Sequence, residues 1–209
     1  MRAAARRPGA LALCLLLAAC GGDRRSAWAV ADSVDIAAAV PAAPARTKPT
    51  DAEIAQIAGA LNAVAQRAAE HARTRVRSAE VASFAATLAA DHRAMATGVQ
   101  AFARDTTGAR AEHPLAREVR TAGTAALEAL GAASGTTYES AYIEDQITFH
   151  ERALGIIDDV LLPSASSEPL RAFISGTRPA FAAHLQRALQ IRQLIAAGAT
   201  TVDSTTLRR

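Results

Sequence analysis

Apolar residues recur every three or four positions from Thr50 onward through four long segments, and no stretch alternates between apolar and polar positions as a strand would. This spacing puts the apolar side chains of each segment on one face of a helix. The pattern predicts helices over about 51–76, 78–104, 136–162 and 167–198. The chain is therefore expected to be all-α.

The predicted helices begin and end at residues that favour helix termini. Thr50 and Ser78 carry hydroxyls that can cap a first turn, and Ser167 precedes an acid and a proline, which suit the first turn of the last helix. Proline lacks a backbone donor and crowds the preceding turn. Pro163 is therefore expected to end the third helix, and Pro179 is expected to kink the fourth.

The lengths of the links predict how these helices connect. Short links join the first helix to the second and the third to the fourth, whereas residues 105–134 form a long link with a short helix of its own at about 115–130. A ferritin-like four-helix bundle, which has one long crossover, shows this connectivity. Residues 50–198 are thus expected to form one ferritin-like bundle with a short extra helix in the crossover, followed by a polar tail over 199–209.

The N-terminal residues have the pattern of a bacterial lipoprotein signal. Three arginines precede an apolar run that is too short to span a bilayer, and the run ends on small residues followed by Cys20. Residues 1–19 are predicted to be the signal peptide and Cys20 to be lipidated, which would attach the protein to a membrane because each buried acyl methylene contributes about 0.8 kcal/mol. An ordinary cleaved signal with an incidental Cys20 is the alternative.

Residues 20–49 contain three prolines and no sustained helical stripe, so they are predicted to be a flexible tether. Gly21 follows the cysteine, where inner-membrane retention in enteric bacteria is associated with aspartate. The predicted location is therefore the periplasmic face of the outer membrane, or the extracytoplasmic face of a plasma membrane.

Charge and cysteine content argue against several classes of function. The chain has 23 Lys+Arg against 20 Asp+Glu, but three of the arginines lie in the predicted signal peptide, so the mature protein is formally neutral. Aromatic residues make up 4% of the chain, and with no basic excess no nucleic-acid partner is expected. Cys14 would leave with the signal and Cys20 would be acylated. No thiol would then remain for a disulfide, a metal or a nucleophile.

Three histidines replace apolar residues on the core stripes of three different predicted helices. His92, His150 and His184 lie about 14, 14 and 17 residues from the starts of their helices, near the midpoint of each. In antiparallel helices joined by short links the midpoints meet, so at a rise of 1.5 Å per residue the three should lie near one level of the bundle. Neutral imidazole is a common ligand of zinc, copper, iron and nickel. The three side chains therefore predict a site for a transition metal ion.

Other polar residues on these helices could support the histidines, because a buried imidazole needs a partner for each ring nitrogen. Asp91, Gln146 and Tyr142 are the predicted supporting residues, and Asp91 or Gln146 could also supply an oxygen ligand. In the alternative interpretation the histidines are ordinary core residues, hydrogen-bonded to tyrosine or amide side chains such as Tyr138 or Asn62.

The sequence lacks the motifs of better-known sites. The residues three before the histidines are Ala89, Ile147 and Phe181, so the Glu-x-x-His motif of di-iron bundles is absent. His71 lies too near the end of its helix to be a good fourth ligand, and His113, in the crossover, is expected to be solvated. No catalytic triad, phosphate-binding loop or Cys/His zinc motif is present, so no catalytic residue is predicted.

The histidine segments also resemble those of a known family. They read Phe84-Ala-Ala-Thr-Leu-Ala-Ala-Asp91-His92, Tyr138-Glu139 with Tyr142, Gln146 and His150, and Pro179 with His184-Leu185. Over about 51–195 the chain is similar to the bacterial family catalogued as domain of unknown function 4142, whose secreted or lipid-anchored members are often labelled outer membrane proteins. The resemblance implies a ferritin-like fold and assigns no activity. Where the family often has a glutamate, this chain has Ala65.

Two functions are expected from these observations. The first is a lipid-anchored, non-catalytic envelope bundle that binds a metal ion or another small ligand through the three histidines. The second is a structural or protein-interaction module of the envelope, for maintenance or stress, with no metal. The missing carboxylates disfavour a third, a metal-dependent redox enzyme. No feature of the sequence identifies the metal or a protein partner.

Overall fold

The computed structural model describes residues 48–103 and 111–198. The predicted signal peptide, Cys20, nearly all of the tether and the polar tail lie outside the described residues. All regular structure in the two described ranges is helical, which confirms the all-α prediction. The helices are α1 (Asp51–Arg73), α2 (Ala79–Ala103), α3 (Pro114–Gly131), α4 (Gly135–Ile156), α5 (Leu162–Ser164) and α6 (Glu168–Ala196), with a π-helical turn (Ile157–Leu161) between α4 and α5.

Four long helices form the bundle. Helix α1 packs against α2 and α4, and α6 packs against the same two helices, so the four enclose a common core. Helix α3 is the short helix predicted in the crossover, and it packs on the outside of α1. Among the helices that the structure describes, none combines the length and the hydropathy needed to cross a bilayer.

Two carboxylates at opposite ends of the bundle show the directions of the helices. Near the start of α4, Glu139 accepts a hydrogen bond from the backbone N–H of Ser78, just before α2, at 2.9 Å. At the start of α1, Asp51 accepts one from the backbone N–H of Ser167, just before α6, at 2.8 Å. Helices α2 and α4 therefore start at one end of the bundle, and α1 and α6 start at the other.

The helix termini agree with the sequence at α1 and differ at α6. Thr50 and Glu53 form a reciprocal capping box at the start of α1, as the hydroxyl at Thr50 predicted. Ser167 is the N-cap of α6, but its side chain makes no capping hydrogen bond. The Asp51 carboxylate accepts the N–H groups of Ser166 and Ser167 instead. An anionic acceptor suits this position because the helix dipole is positive there.

Pro163 does not end the helix where the sequence predicted. Helical structure continues through a π-helical turn to Ser164, and within it the N–H of Leu162 donates to the carbonyl of Ile157, five residues earlier. A proline in a helix removes one donor and crowds the carbonyl four residues before it. A widened turn gives the proline ring room, so the helix ends only after Ser164. Helix α6 likewise continues through Pro179.

The core consists of two apolar clusters stacked along the bundle. On α2 the buried residues up to Ala89 belong to one cluster and Val99 belongs to the other. On α4 the change falls between Ile147 and Phe149, next to His150, and on α6 it falls between Phe181 and Ala188, around His184. On all three helices the buried histidine lies where one cluster gives way to the other. The histidines therefore form a polar layer across the middle of the bundle.

Two helical glycines should respond in opposite directions to alanine. A Cβ at Gly123, on α3, would lie 2.5 Å from Cγ1 of buried Val64 on α1, whereas one at Gly155, on α4, would meet nothing within 4 Å. We expect Gly123→Ala to destabilise the fold, since overpacking costs up to about 3 kcal/mol, more than the roughly 1 kcal/mol that helical alanine gains over glycine. Gly155→Ala should stabilise it. Urea unfolding of both variants measures this, and a stabilised Gly123→Ala would contradict the close approach of α3 to α1.

Candidate metal centre

The three predicted histidines meet in the polar layer. One ring nitrogen from each of His92, His150 and His184 lies within 4.8 Å of the corresponding nitrogen of the other two. The shortest separation joins Nε2 of His92 and Nε2 of His150, at 3.4 Å. The exposed fraction of His92 and of His150 is 0%, and that of His184 is 5%. Helices α2, α4 and α6 thus each contribute one imidazole to a single buried cluster.

Each histidine has an oxygen acceptor at its other ring nitrogen. Nδ1–H of His92 donates to Oδ1 of Asn62 at 2.9 Å, and Nδ1–H of His150 donates to the main-chain oxygen of Gln146 at 2.7 Å. Nε2–H of His184 donates to Oδ2 of Asp91 at 2.9 Å. A neutral imidazole carries one N–H and one lone pair. The hydrogen bonds therefore leave a lone pair on Nε2 of His92, on Nε2 of His150 and on Nδ1 of His184.

Burial keeps the imidazoles of His92 and His150 neutral. It lowers the pKa of His150 from 6.5 to about 3, against a smaller raising effect of its hydrogen bond to the Gln146 carbonyl. Burial, together with the neighbouring His150 and His184, also lowers the pKa of His92 well below 6.5. Metal ligation needs the neutral, unprotonated nitrogen. At neutral pH His92 and His150 therefore offer their lone pairs without competition from protons.

The spacing suits a small cation. Two zinc–nitrogen bonds of about 2.0–2.1 Å at a tetrahedral angle place their nitrogens about 3.4 Å apart, which is the separation found between His92 and His150. Nδ1 of His184 is buried and has no hydrogen-bond partner in the described part of the chain. A cation among the three nitrogens would relieve the lone-pair repulsion between the first two rings and give the third nitrogen a partner.

The predicted supporting residues differ in what they contribute. Asp91 holds His184 through its side chain. Gln146 holds His150 through its main-chain oxygen, while its side-chain amide donates to Asp145 at 3.0 Å. The Tyr142 ring is fully buried and stacked on Tyr138, and its hydroxyl has no hydrogen-bond partner among the described residues. Burial, with Asp145 nearby, raises the pKa of Tyr142 well above 10.

Asn62 was absent from the predicted site set and named only as a general core partner. Its Nδ2 donates to the carbonyl of Ala58 at 2.9 Å, which turns Oδ1 toward His92. The sequence signal for Asn62 was a polar residue among the apolar positions of α1. In the structure only 3% of its surface is exposed. The rings of Phe149 and Phe181 also pack against His92, with Phe181 edge-on at a centroid distance of 5.0 Å. These contacts limit how far the ring can turn.

Comparison with known families supports the resemblance seen in the sequence. A family model described as a domain of unknown function (DUF4142) matches residues 37–191, which is well over half of the chain. The chain belongs to the DUF4142 family. Comparisons with curated proteins and with solved structures found no match. The histidine cluster lies wholly within the DUF4142 match.

Two other histidines of this DUF4142 domain lie outside the cluster. His71 is hydrogen-bonded through Nδ1 to the Tyr138 hydroxyl at 2.8 Å, near the end of α1, in agreement with its poor placement as a fourth ligand. His113 was expected to be a solvated crossover residue. It is partly exposed and is the N-cap of α3, where Nδ1 accepts the backbone N–H of Leu115 at 3.2 Å. An imidazole acceptor there satisfies one of the free N–H groups at the helix start.

Proposed function

We propose that this protein binds one transition metal ion through Nε2 of His92, Nε2 of His150 and Nδ1 of His184. The observation that carries the proposal is the orientation of the three rings. Each directs its N–H away from the cluster to an oxygen acceptor and its lone pair toward the other two rings. Histidine ligands of metals are commonly held in this way, with the second nitrogen donating to a carboxylate or carbonyl.

The donor set favours particular metals. Imidazole nitrogen suits zinc, copper, iron and nickel, whereas magnesium and calcium prefer oxygen ligands. The cluster contains three histidines and no carboxylate or thiolate among the described residues. Three protein ligands leave one position of a tetrahedral ion for an outside ligand. We infer a binding function for this site and assign it no catalytic step.

The proposal places this bundle in the cell envelope. Its support is the apolar run that ends at Cys20 and the proline-containing residues 20–49 that follow. A lipid on Cys20 would anchor the protein, and the tether would hold the bundle clear of the membrane surface at the periplasmic face of the outer membrane.

Elemental analysis tests the metal proposal. The full chain, purified without a histidine tag, is incubated with zinc, copper or iron salts, desalted, and analysed for metal content. We expect about one equivalent of at least one of these metals, because three fixed imidazoles form a single site. Less than about a tenth of an equivalent of each would contradict the proposal and leave the structural or protein-interaction module as the better account.

A further inference from the structure

A cleft on the surface leads to the histidine cluster. It lies between α2 and α6 and has a volume of about 330 Å³. Its lining includes Thr87 and Asp91 from α2, and Ala183, His184 and Arg187 from α6. Of the three histidines in the cluster, His184 is the one that reaches this cleft. The cleft is therefore a point at which the buried site comes close to solvent.

The imidazole of His184 separates the cleft from the cluster. Its Nε2–H donates to Asp91, whose side chain is 47% exposed, whereas the His184 side chain is 6% exposed and its Nδ1 is buried. The Nε2 edge of the His184 ring thus lies at the cleft, and its Nδ1 edge lies toward the nitrogens of His92 and His150. An ion moving between the two has to pass this ring. Turning the ring aside requires breaking its hydrogen bond to Asp91.

The charge in the cleft favours a cation. Arg187 forms an ion pair with Glu80, which neutralises it. Asp91 also lines the cleft, and no Lys or Arg in the described part of the chain forms an ion pair with it. Its Oδ2 accepts the hydrogen bond from Nε2–H of His184, and no described residue donates a hydrogen bond to its Oδ1. A carboxylate of this kind attracts and binds a cation at the floor of the cleft.

We propose that the cleft between α2 and α6 is the route by which the metal ion reaches and leaves the cluster, and that Asp91 is its first ligand. This inference rests on the metal site proposed above. The ion binds the Asp91 carboxylate, the His184 ring turns away from Asp91, and the ion passes to the three nitrogens. The ring then returns to its hydrogen bond.

The other sides of the cluster are more tightly closed. Phe149 and Phe181 belong to the apolar core cluster that contains Val99, and both pack against the imidazole of His92. Each has 2% of its surface exposed. Asn62 closes the side toward α1 and has 3% exposed. Passage there would need large displacements of close-packed side chains. At the cleft, rotation of one side chain is enough.

A bulky residue in the cleft tests the route. Ala183 is an exposed cleft residue, and Ala172 is another exposed residue of the same helix, outside the cleft. The full-length Ala183→Trp and Ala172→Trp variants are mixed with Co²⁺ under stopped flow, and the cobalt absorbance reports association. Displacement of bound Co²⁺ by a chelator reports dissociation. Equilibrium titration gives the Kd of each variant.

We expect Ala183→Trp to lower the association and dissociation rate constants by the same factor, at least about fivefold, with the Kd unchanged. A blocked route slows passage in both directions without altering the bound state. Ala172→Trp should leave both rates unchanged. Equal rates in the two variants would overturn the inference, as would a change in Kd that accounts for the change in rate. If Ala183→Trp fails to fold, Thr87→Leu narrows the cleft from the opposite helix and serves in its place.

The role of Asp91 has its own measurement. Attraction between charges is screened by salt, so the association rate constant of the unmodified chain should fall between about 0.01 and 0.5 M salt. Asp91→Asn keeps an oxygen acceptor for His184 and removes the charge. We expect this variant to associate more slowly at low salt and to lose the salt dependence. Retention of the full salt dependence would overturn the role of Asp91. Failure of the unmodified chain to bind Co²⁺, Zn²⁺ or Cu²⁺ at equilibrium would instead contradict the metal site itself.

Discussion

Replacing His150 by alanine should reduce the bound metal from about one equivalent to less than about a tenth of an equivalent, because the ion loses one of three protein ligands. His150 is fully buried, and its Nε2 lies 3.4 Å from that of His92. Two remaining imidazoles would hold an ion weakly. The measurement is metal content after desalting, followed by titration of the metal-free variant with Zn²⁺.

The matched control is His113→Ala. This histidine caps α3 and lies outside the cluster, so its loss should cost the fold about 1 kcal/mol of helix capping and leave the metal content unchanged. Circular dichroism of both variants shows whether they remain folded. A folded His150→Ala variant that still binds a full equivalent with unchanged affinity would contradict the proposed ligand set. Loss of metal from His113→Ala as well would show that metal content follows fold stability rather than ligation.

Much of the fold could be predicted because helical periodicity and link length are local properties of the sequence. The apolar stripes located all four long helices, and the long link located α3. The errors arose where a distant residue or a change of helix type intervened. No local pattern shows that Asp51 would cap α6 from another helix, or that a π-helical turn would carry the helix past Pro163.

The candidate site was predictable for a related reason. A histidine on an apolar stripe is expected in the core, and positions near the midpoints of their helices bring three such residues to one level. The supporting contacts were harder to predict because they depend on side-chain direction. The sequence indicated Gln146 as a supporting residue, but not that its main chain would make the contact. It also did not select Asn62 among the buried residues of α1 as the partner of His92.

Acid should destabilise the metal-free protein well above the pH at which carboxylates titrate. Burial lowers the pKa of His150 to about 3 and that of His92 well below 6.5, whereas in the unfolded chain both should titrate near 6.5. Below pH 6.5 the unfolded state therefore binds more protons than the folded state. The free energy of unfolding must then fall as the pH falls toward the folded pKa values.

The expected loss is large for so small a change in pH. Between pH 7 and pH 5 His150 alone should remove about 2 kcal/mol, and His92 should add to the loss in the same direction. Urea unfolding of the metal-free chain at several pH values measures it, and His150→Leu, which removes one of the two groups, should lose less stability over the same pH range. An unfolding free energy that stays constant between pH 7 and pH 5 would contradict the neutral, buried state of His92 and His150. Without neutral imidazoles the lone pairs would not be available, and the proposed metal site would lose its basis.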